Sequence, residues 1–368
     1  MRIALKKGAK IVVKIGSSLL TNESGRLDMQ KLETITKQMC SLKNNGYHII
    51  LVSSGAIACG MEKLGLENRP VTVIASSGTA AVGQIILMDS YGNYFRKNNF
   101  LTAQILLTSD GLQDRKRYLN ARNTVLHLLD KGNIVPIINE NDAVITDEIK
   151  FGDNDKLSAQ VATLIDAQLL IILSDIDGVY DKQGKVIETI DEIDDCLISV
   201  VKDTKGKTTV GGMITKFEAA KIATNAGIPL VIANGNDPKI LNKIIKNNKA
   251  GTIFLPKDDK ISGKKRWIAF SCKDCGKIII DQGAAQAVLE KGKSLLAIGI
   301  KAVEGDFSFG DLIVICNENH QEIARGLVNY SSDELKKIKG IKTDEIENIL
   351  KYKSYDEVVH RDNLVVIK

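Results

Sequence analysis

Apolar runs alternate with amphipathic stretches along the first two thirds of the chain. "AKIVVKIG" (9–16) is a short Val/Ile run that predicts a strand, and "MQKLETITKQMCSLKNNG" (29–46) places its apolar residues at helical spacing and closes on Gly46. "YHIILVSSGAIACG" (47–60) reads as a strand, a glycine-bearing turn and a helix. The alternation continues with "FLTAQILLT" (100–108, strand), "LNARNTVLHLLDKG" (119–132, helix) and "NIVPIIN" (133–139, strand). It ends with "DKLSAQVATLIDA" (155–167, helix), "QLLIILSDIDG" (168–178, strand), "GGMITKFEAAKIATNAG" (211–227, helix) and "IPLVIANG" (228–235, strand). Strands that are continuously Val/Ile/Leu, each followed by a helix, predict a mainly parallel sheet buried on both faces. The fold class expected is therefore α/β, a three-layer α/β/α sandwich. Ligands of such folds sit beyond the carboxyl ends of the strands. Gly16–Ser18, Ser53–Gly55, Asn139–Asp142 and Ser174–Gly178 fall at those ends.

The texture changes after Phe254. "LPKDDKISGKKRW" is polar and reads as a linker, while the segment from Gly276 has short apolar strands, turn glycines and one small helix. The expected division is a catalytic domain over 1–258, a linker over 259–275 and a small β-rich domain over 276–355. A chain of 368 residues with 44% apolar content supports two such cores.

Charge and cysteine content narrow the setting. The net charge of +5 suits anionic ligands without requiring nucleic acid. From Gly276 onward there are 13 basic and 15 acidic residues, so the basic surplus lies in the first domain. No apolar run approaches the roughly 18 residues of a membrane span, and Lys6, Lys7, Lys10 and Lys14 break up the first segment. A cytoplasmic protein is expected, and its six cysteines are read as reduced thiols, mostly small core residues. "CKDC" (Cys272 to Cys275) has metal-like spacing but no second pair of ligands, which favours two free thiols.

The candidate chemistry starts from charges in costly places. Lys14 lies in a strand destined for burial, where an ammonium needs a charged partner; the alternative is a strand-end lysine reaching solvent. Lys216 follows Gly211 and Gly212 on the first turn of a predicted helix, and a plain helix entry is the alternative. "IINENDAVITDEIKFGDNDKLSA" (137–159) packs Asn139, Glu140, Asn141, Asp142, Asp153, Asn154 and Asp155 around one strand-to-helix crossing. Asp153 reads equally as a helix N-cap. Glu140, Asp147 and Glu148 read as solvated surface charges. A Ca²⁺ cluster is the rival reading, but the spacing fits no EF-hand loop. No metal site is expected from protein ligands alone, no Gly-x-Gly is present, and "GKT" (206–208) lacks the earlier glycine of a P-loop.

"VVKIGSSLLT", "LVSSGAIACG", "VPIINENDAV", "FGDNDKLSA", "LSDIDGVYD" and "VGGMITKFEAA", in this order, resemble the amino acid kinase family, and most closely its members that phosphorylate free L-glutamate. The segment from 276 resembles a PUA domain, a small β-barrel. Together the likeness spans nearly the whole chain. Ser53 stands where threonine is common, and Thr208 where a glycine is often found. The resemblance implies transfer of the γ-phosphoryl of ATP to the side-chain carboxylate of L-glutamate, with Mg²⁺ on the phosphates, as the first step of proline synthesis. It places Lys14 and Lys216 beside the transferred group, with Asp155 holding both. It assigns the nucleotide to Lys14, Gly16, Ser174, Asp175 and a loop formed by Val210, Gly211, Gly212, Met213, Ile214, Thr215 and Lys216. Ser54, Asp142 and Asn154 match its glutamate-binding positions. Feedback inhibition by proline and a homo-oligomeric state, dimer or tetramer, are implied in the same way. PUA domains often bind RNA, yet the acidic balance after Gly276 argues against it here. The alternatives are a kinase for aspartate or N-acetylglutamate, and an RNA-binding protein built on a kinase-like scaffold.

Overall fold

Val/Ile-rich segments become the strands of a large sheet in the computed structural model. It describes residues 5–22, 25–144, 154–193, 210–246, 250–256, 268, 276–353 and 355–367. The chain divides into two compact units, Met1–Lys260 and Ile261–Lys368. In order, the first unit runs β1 (Lys10–Ile15), α1 (Ser17–Leu20), α2 (Met29–Asn44), β2 (His48–Ser53), α3 (Ala56–Leu64), α4 (Val73–Arg96), β3 (Leu101–Leu107), α5 (Arg115–Asp130) and β4 (Ile134–Glu140). It continues with α6 (Asn154–Leu164), β5 (Leu169–Ser174), β6 (Thr189–Ile190), α7 (Val210–Asn225), β7 (Leu230–Asn234), α8 (Ile240–Ile245) and β8 (Thr252–Phe254).

The eight strands lie in the order β3-β4-β2-β1-β5-β7-β8-β6. All pair in parallel except β7 with β8. Ile11, Val13 and Ile15 of β1 pack against Leu32, Ile35 and Met39 of α2, Leu87, Tyr91 and Phe95 of α4, and Leu241 and Ile244 of α8. The alternate residues Val12, Val52, Ile172 and Ile232 are equally buried. They face the opposite layer, where α5, α6 and α7 cover β4, β1 with β5, and β7 respectively. Each such side chain contributes about 1.5–3 kcal/mol relative to exposure. The chain order and the sheet together make the three layers expected from the sequence. β3 departs from the two-sided burial expected: it is an edge strand, with Leu101 and Leu106 exposed.

The sequence pattern missed α4 altogether. Its buried face carries Ser76, Thr79, Gly83, Gln84 and Ser90 among the apolar residues, which blurs the helical period. Thr72 caps it, its hydroxyl accepting from Ala75 N–H at 3.2 Å. By length and composition alone α4 is also apolar enough to cross a membrane, which a search for unbroken apolar runs does not register. Its contact with α3 is backbone to backbone. A Cβ on Gly83 would lie 1.8 Å from Ala56 O, and one on Gly60 would lie 1.9 Å from Thr79 O. Only glycine permits that approach.

The second unit runs β9 (Gly276–Ile280), α9 (Gln282–Leu289), β10 (Ile300–Gly305), β11 (Leu312–Cys316), β12 (Glu322–Leu327), α10 (Ser332–Ile338), α11 (Ile346–Leu350) and β13 (Leu364–Val366). Its sheet has the order β10-β9-β11-β12-β13 and a core of its own around Ile278, Ile280, Ile313, Ile315 and Leu335. Among the described residues from 276 onward it holds three helices where the sequence suggested one. A capping box fixes the start of α10: Ser331 and Glu334 each bond the other's backbone N–H. Cys40, Cys59 and Cys316 are buried and in no disulfide, as core thiols. Cys272 and Cys275 lie outside the described residues.

Candidate active site

β1 ends in Lys14 and Ile15, and the chain then turns at Gly16 into α1. β2 ends in Ser53, and Gly55, at φ 110°, turns the chain into α3. A residue with a Cβ is strained in that left-handed conformation. β4 delivers Asn139 and Glu140, β5 delivers Ser174, and a single 3-10 turn carries Asp142. These strand ends surround a cleft of about 720 Å³. Lys14, Gly16, Ser54, Asp142, Asn154, Asp155, Ser174, Asp175, Gly212, Thr215 and Lys216 all line it. The expected loop over 210–216 is instead the first two turns of α7, so Lys216 sits in the second turn. Met213 is buried and Ile214 half-buried, and neither lines the cleft.

Asp155 is the electrostatic centre. It occupies the first turn of α6, which begins at Asn154, and is 2% exposed. Its Oδ1 pairs with Lys14 Nζ. Its Oδ2 accepts from Lys216 Nζ at 3.1 Å and from Thr215 Oγ1 at 3.2 Å. Lys216 Nζ also donates to Gly212 O at 3.0 Å. Burial alone would raise the Asp155 pKa, but the two ammonium groups outweigh it and hold the carboxyl below its usual value. Lys14 is thus a buried, paired lysine and not a strand-end lysine reaching solvent. One carboxylate against two ammonium groups leaves a local excess of positive charge at the cleft floor. A Cβ on Gly16 would sit 3.7 Å from Lys14 Nζ, an ordinary contact distance, so the turn passes directly beside the ammonium.

The amide side of the cleft is as ordered. Asn154 Nδ2 donates to Ser54 Oγ at 2.8 Å and to Asn139 Oδ1 at 3.0 Å, joining α6 to the ends of β2 and β4. Ser174 Oγ donates to Asp175 Oδ1 at 3.0 Å. Burial pushes the Asp142 carboxyl up to about 6, against the opposing pull of Arg69. Ser17 and Ser18, expected at the first strand end, line the cleft too, as does Arg69, which was not singled out in the sequence. Arg69 stands before Pro70 in a stretch without periodicity, so only its charge beside the α4 start could have drawn notice. Glu140 corrects the sequence reading. It is buried, 4% exposed, and its Oε1 accepts from Ser109 N–H at 3.4 Å, so it is no surface charge. Asp147, Glu148 and Asp153 lie outside the described residues.

Residues 9–234 match the amino acid kinase family, and residues 276–350 match the PUA domain. A glutamate 5-kinase of Thermoanaerobacter sp. (strain X514) is 48% identical over 98% of this chain and 98% of its own. A glutamate 5-kinase of Carboxydothermus hydrogenoformans is 44% identical over the full length of both chains. Among solved structures, a UMP kinase from Ureaplasma parvum is similar over 68% of this chain and 100% of its own, at 15% identity and a TM-score of 0.46. By the family match and by these identities over its whole length, the chain belongs to the amino acid kinase family and, within it, to the glutamate 5-kinases that carry a PUA domain.

Proposed function

We propose that the protein transfers the γ-phosphoryl group of ATP to the side-chain carboxylate of L-glutamate, giving L-glutamyl 5-phosphate, the first step of proline synthesis. The observation that carries this reading is the pair Lys14 and Lys216 held on the two oxygens of Asp155 at the floor of the cleft. A side-chain carboxylate with a pKa of about 4.3 is already ionised at neutral pH, so the reaction needs no general base. It needs two anions brought together and the charge of the transferred group stabilised. Two fixed ammonium groups do that. Asp155 does not react; it holds both nitrogens in place before substrates arrive. The phosphate oxygens of the nucleotide would hold Mg²⁺ beside Lys14 and Lys216, where its charge would add to theirs.

Nucleotide binding falls to Gly16, Ser174, Asp175 and the first turns of α7, which border the lysines. The amino-acid subsite falls to Ser54, Asn154 and Asp142 on the other side. Asp142, ionised above about pH 6, accepts from the substrate ammonium. An N-acetylated substrate would leave that carboxylate unpaired, which disfavours N-acetylglutamate. Proline carries the same ammonium and carboxylate and competes for this subsite as the feedback inhibitor. The chain acts as a homo-oligomer in the cytoplasm, and the PUA-like segment from Gly276, acidic in balance, serves regulation and not RNA binding. The test is hydroxylamine trapping: glutamyl hydroxamate should form only when ATP, Mg²⁺ and free glutamate are all present. Trapping with N-acetylglutamate or aspartate in place of glutamate would overturn the assignment.

A further inference from the structure

Beneath the amino-acid side of the cleft runs a chain of three side-chain amides from three elements. Gln84 Oε1, on α4, accepts from Asn139 Nδ2 at 2.8 Å. Asn139 Oδ1, at the end of β4, accepts from Glu140 N–H at 2.9 Å and from Asn154 Nδ2 at 3.0 Å. Asn154 Nδ2 donates to Ser54 Oγ at 2.8 Å and lies 3.4 Å from Ser53 O. Gln84, Asn139 and Asn154 are 8%, 2% and 7% exposed. Gln84 does not line the cleft.

A carboxamide can be turned end for end without changing shape, so something must impose the order of donors and acceptors. Backbone groups do so here. Glu140 N–H can only donate, so the Asn139 atom facing it is oxygen. The Asn139 nitrogen must then find an acceptor, and Gln84 Oε1 is the acceptor in reach. The atom of Asn154 facing Asn139 Oδ1 must be nitrogen, and Ser53 O, which can only accept, agrees. Ser54 Oγ therefore receives a hydrogen bond from Asn154, and among the described residues its own proton remains to be donated.

We infer that Gln84 is a positioning residue for the amino-acid subsite: through Asn139 and Asn154 it fixes Ser54 as a donor to an anionic group of the substrate. On the glutamate reading, on which this rests, that group is the α-carboxylate. It lies where the first N–H groups of α3, after Gly55, also favour an anion. Without the Gln84 acceptor, Asn139 Nδ2 is left buried without its partner, and Asn139 gains by drawing away from its buried position. Asn154 then loses its oxygen partner and releases Ser54.

The test is steady-state kinetics of Q84M, Q84E and the native enzyme with L-glutamate and with its α-carboxamide, isoglutamine. Q84M keeps length and apolar volume but removes the acceptor. It should raise KM for glutamate about 10-fold, with kcat and KM for ATP within about 3-fold, the scale of one charge-assisted hydrogen bond. The preference for glutamate over isoglutamine should shrink by the same factor. Q84E, whose carboxyl oxygen still accepts from Asn139 Nδ2, should restore the glutamate KM to within about 3-fold of native. A native KM and native preference in Q84M would overturn the inference, as would equal losses in kcat and both KM values, or a Q84E as impaired as Q84M. Should Q84M fail to fold, Q84N, which withdraws the same amide by one methylene, must raise the glutamate KM selectively or the inference falls. A native protein that does not turn over glutamate at all would overturn the functional reading itself, and that result precedes any variant.

Discussion

Replacing Asp155 by asparagine removes one charge and almost no volume. In the native protein that charge lies between two ammonium groups, one on each oxygen, with Lys14 and Lys216 only 5% and 8% exposed. Two cations bridged by one carboxyl group stand roughly 5 Å apart, and at an effective dielectric near 20 they repel by about 3 kcal/mol. The amide also turns an N–H₂ toward one of them. Breaking a buried ion pair by removing one partner costs about 3–5 kcal/mol, so D155N should lose that much stability. Loss of preorganised charge at the transferred group should lower kcat by about 10²–10³-fold. Because the native carboxyl is held below its unfolded pKa of about 3.9, its stabilisation is complete above that pH and is lost as pH falls through the folded value. The D155N difference should therefore be full at pH 7 and shrink in acid. Mg·ATP should raise the melting temperature of D155N more than that of the native enzyme, since phosphates supply the missing negative charge. Urea unfolding at several pH values, thermal melts with and without nucleotide, and hydroxamate formation measure these quantities. A D155N that melts with the native protein and keeps kcat within about threefold would refute the account of Asp155 as the holder of both lysines.

Lys216→Ala should reduce kcat at least about 10²-fold while glutamate KM moves much less, because the interaction grows as the phosphoryl group moves; a near-normal kcat in steady-state assays removes Lys216 from the reaction. Asp142, with its pKa pushed up to about 6, should make glutamate KM fall as pH rises through that value, and Asp142→Asn should raise KM, abolish the slope and spare ATP KM. A carboxyl whose folded pKa is raised stabilises the fold below its unfolded value of about 3.9, and that stabilisation is lost as pH rises through about 6, so pH melts of D142N should lack this component. A fragment ending near residue 260 should stay folded by circular dichroism and keep most of its glutamate-dependent activity, since the second unit has its own core; a folded but inactive fragment would count against that division.

The strands were legible because buried parallel strands must be continuously apolar, as Ile11 to Val13 and Leu169 to Leu173 are. The site was legible where it spends charge against burial. Lys14 in a Val/Ile strand needs a charged partner, and Asp155, which only the family resemblance had pointed to, is that partner. What stayed hidden lay in tertiary context. The carboxylate of Glu140 looks like its solvated neighbours in sequence, and only the strand end that buries it tells them apart. Lys216 was placed one turn too early because two glycines read as a loop, although the helix begins before them. Helix α4 escaped because the surface it packs against is partly polar backbone, so serine, threonine and glycine occupy positions where a hydrophobic period would otherwise stand.

That contact also governs how the cleft can change. Gly60 and Gly83 let two helix backbones touch, and α3 begins at the very turn that forms one wall of the cleft. The wall is thus set by main chain resting on main chain, a dimension that no choice of side chain can adjust in small steps. Any larger residue at either position moves α3 as a rigid rod and carries the Ser54–Ala56 corner with it. Widening or narrowing the cleft for another substrate must then come from the loops opposite, while these two positions act as a gauge block for the fold, intolerant of change though neither is in reach of a ligand.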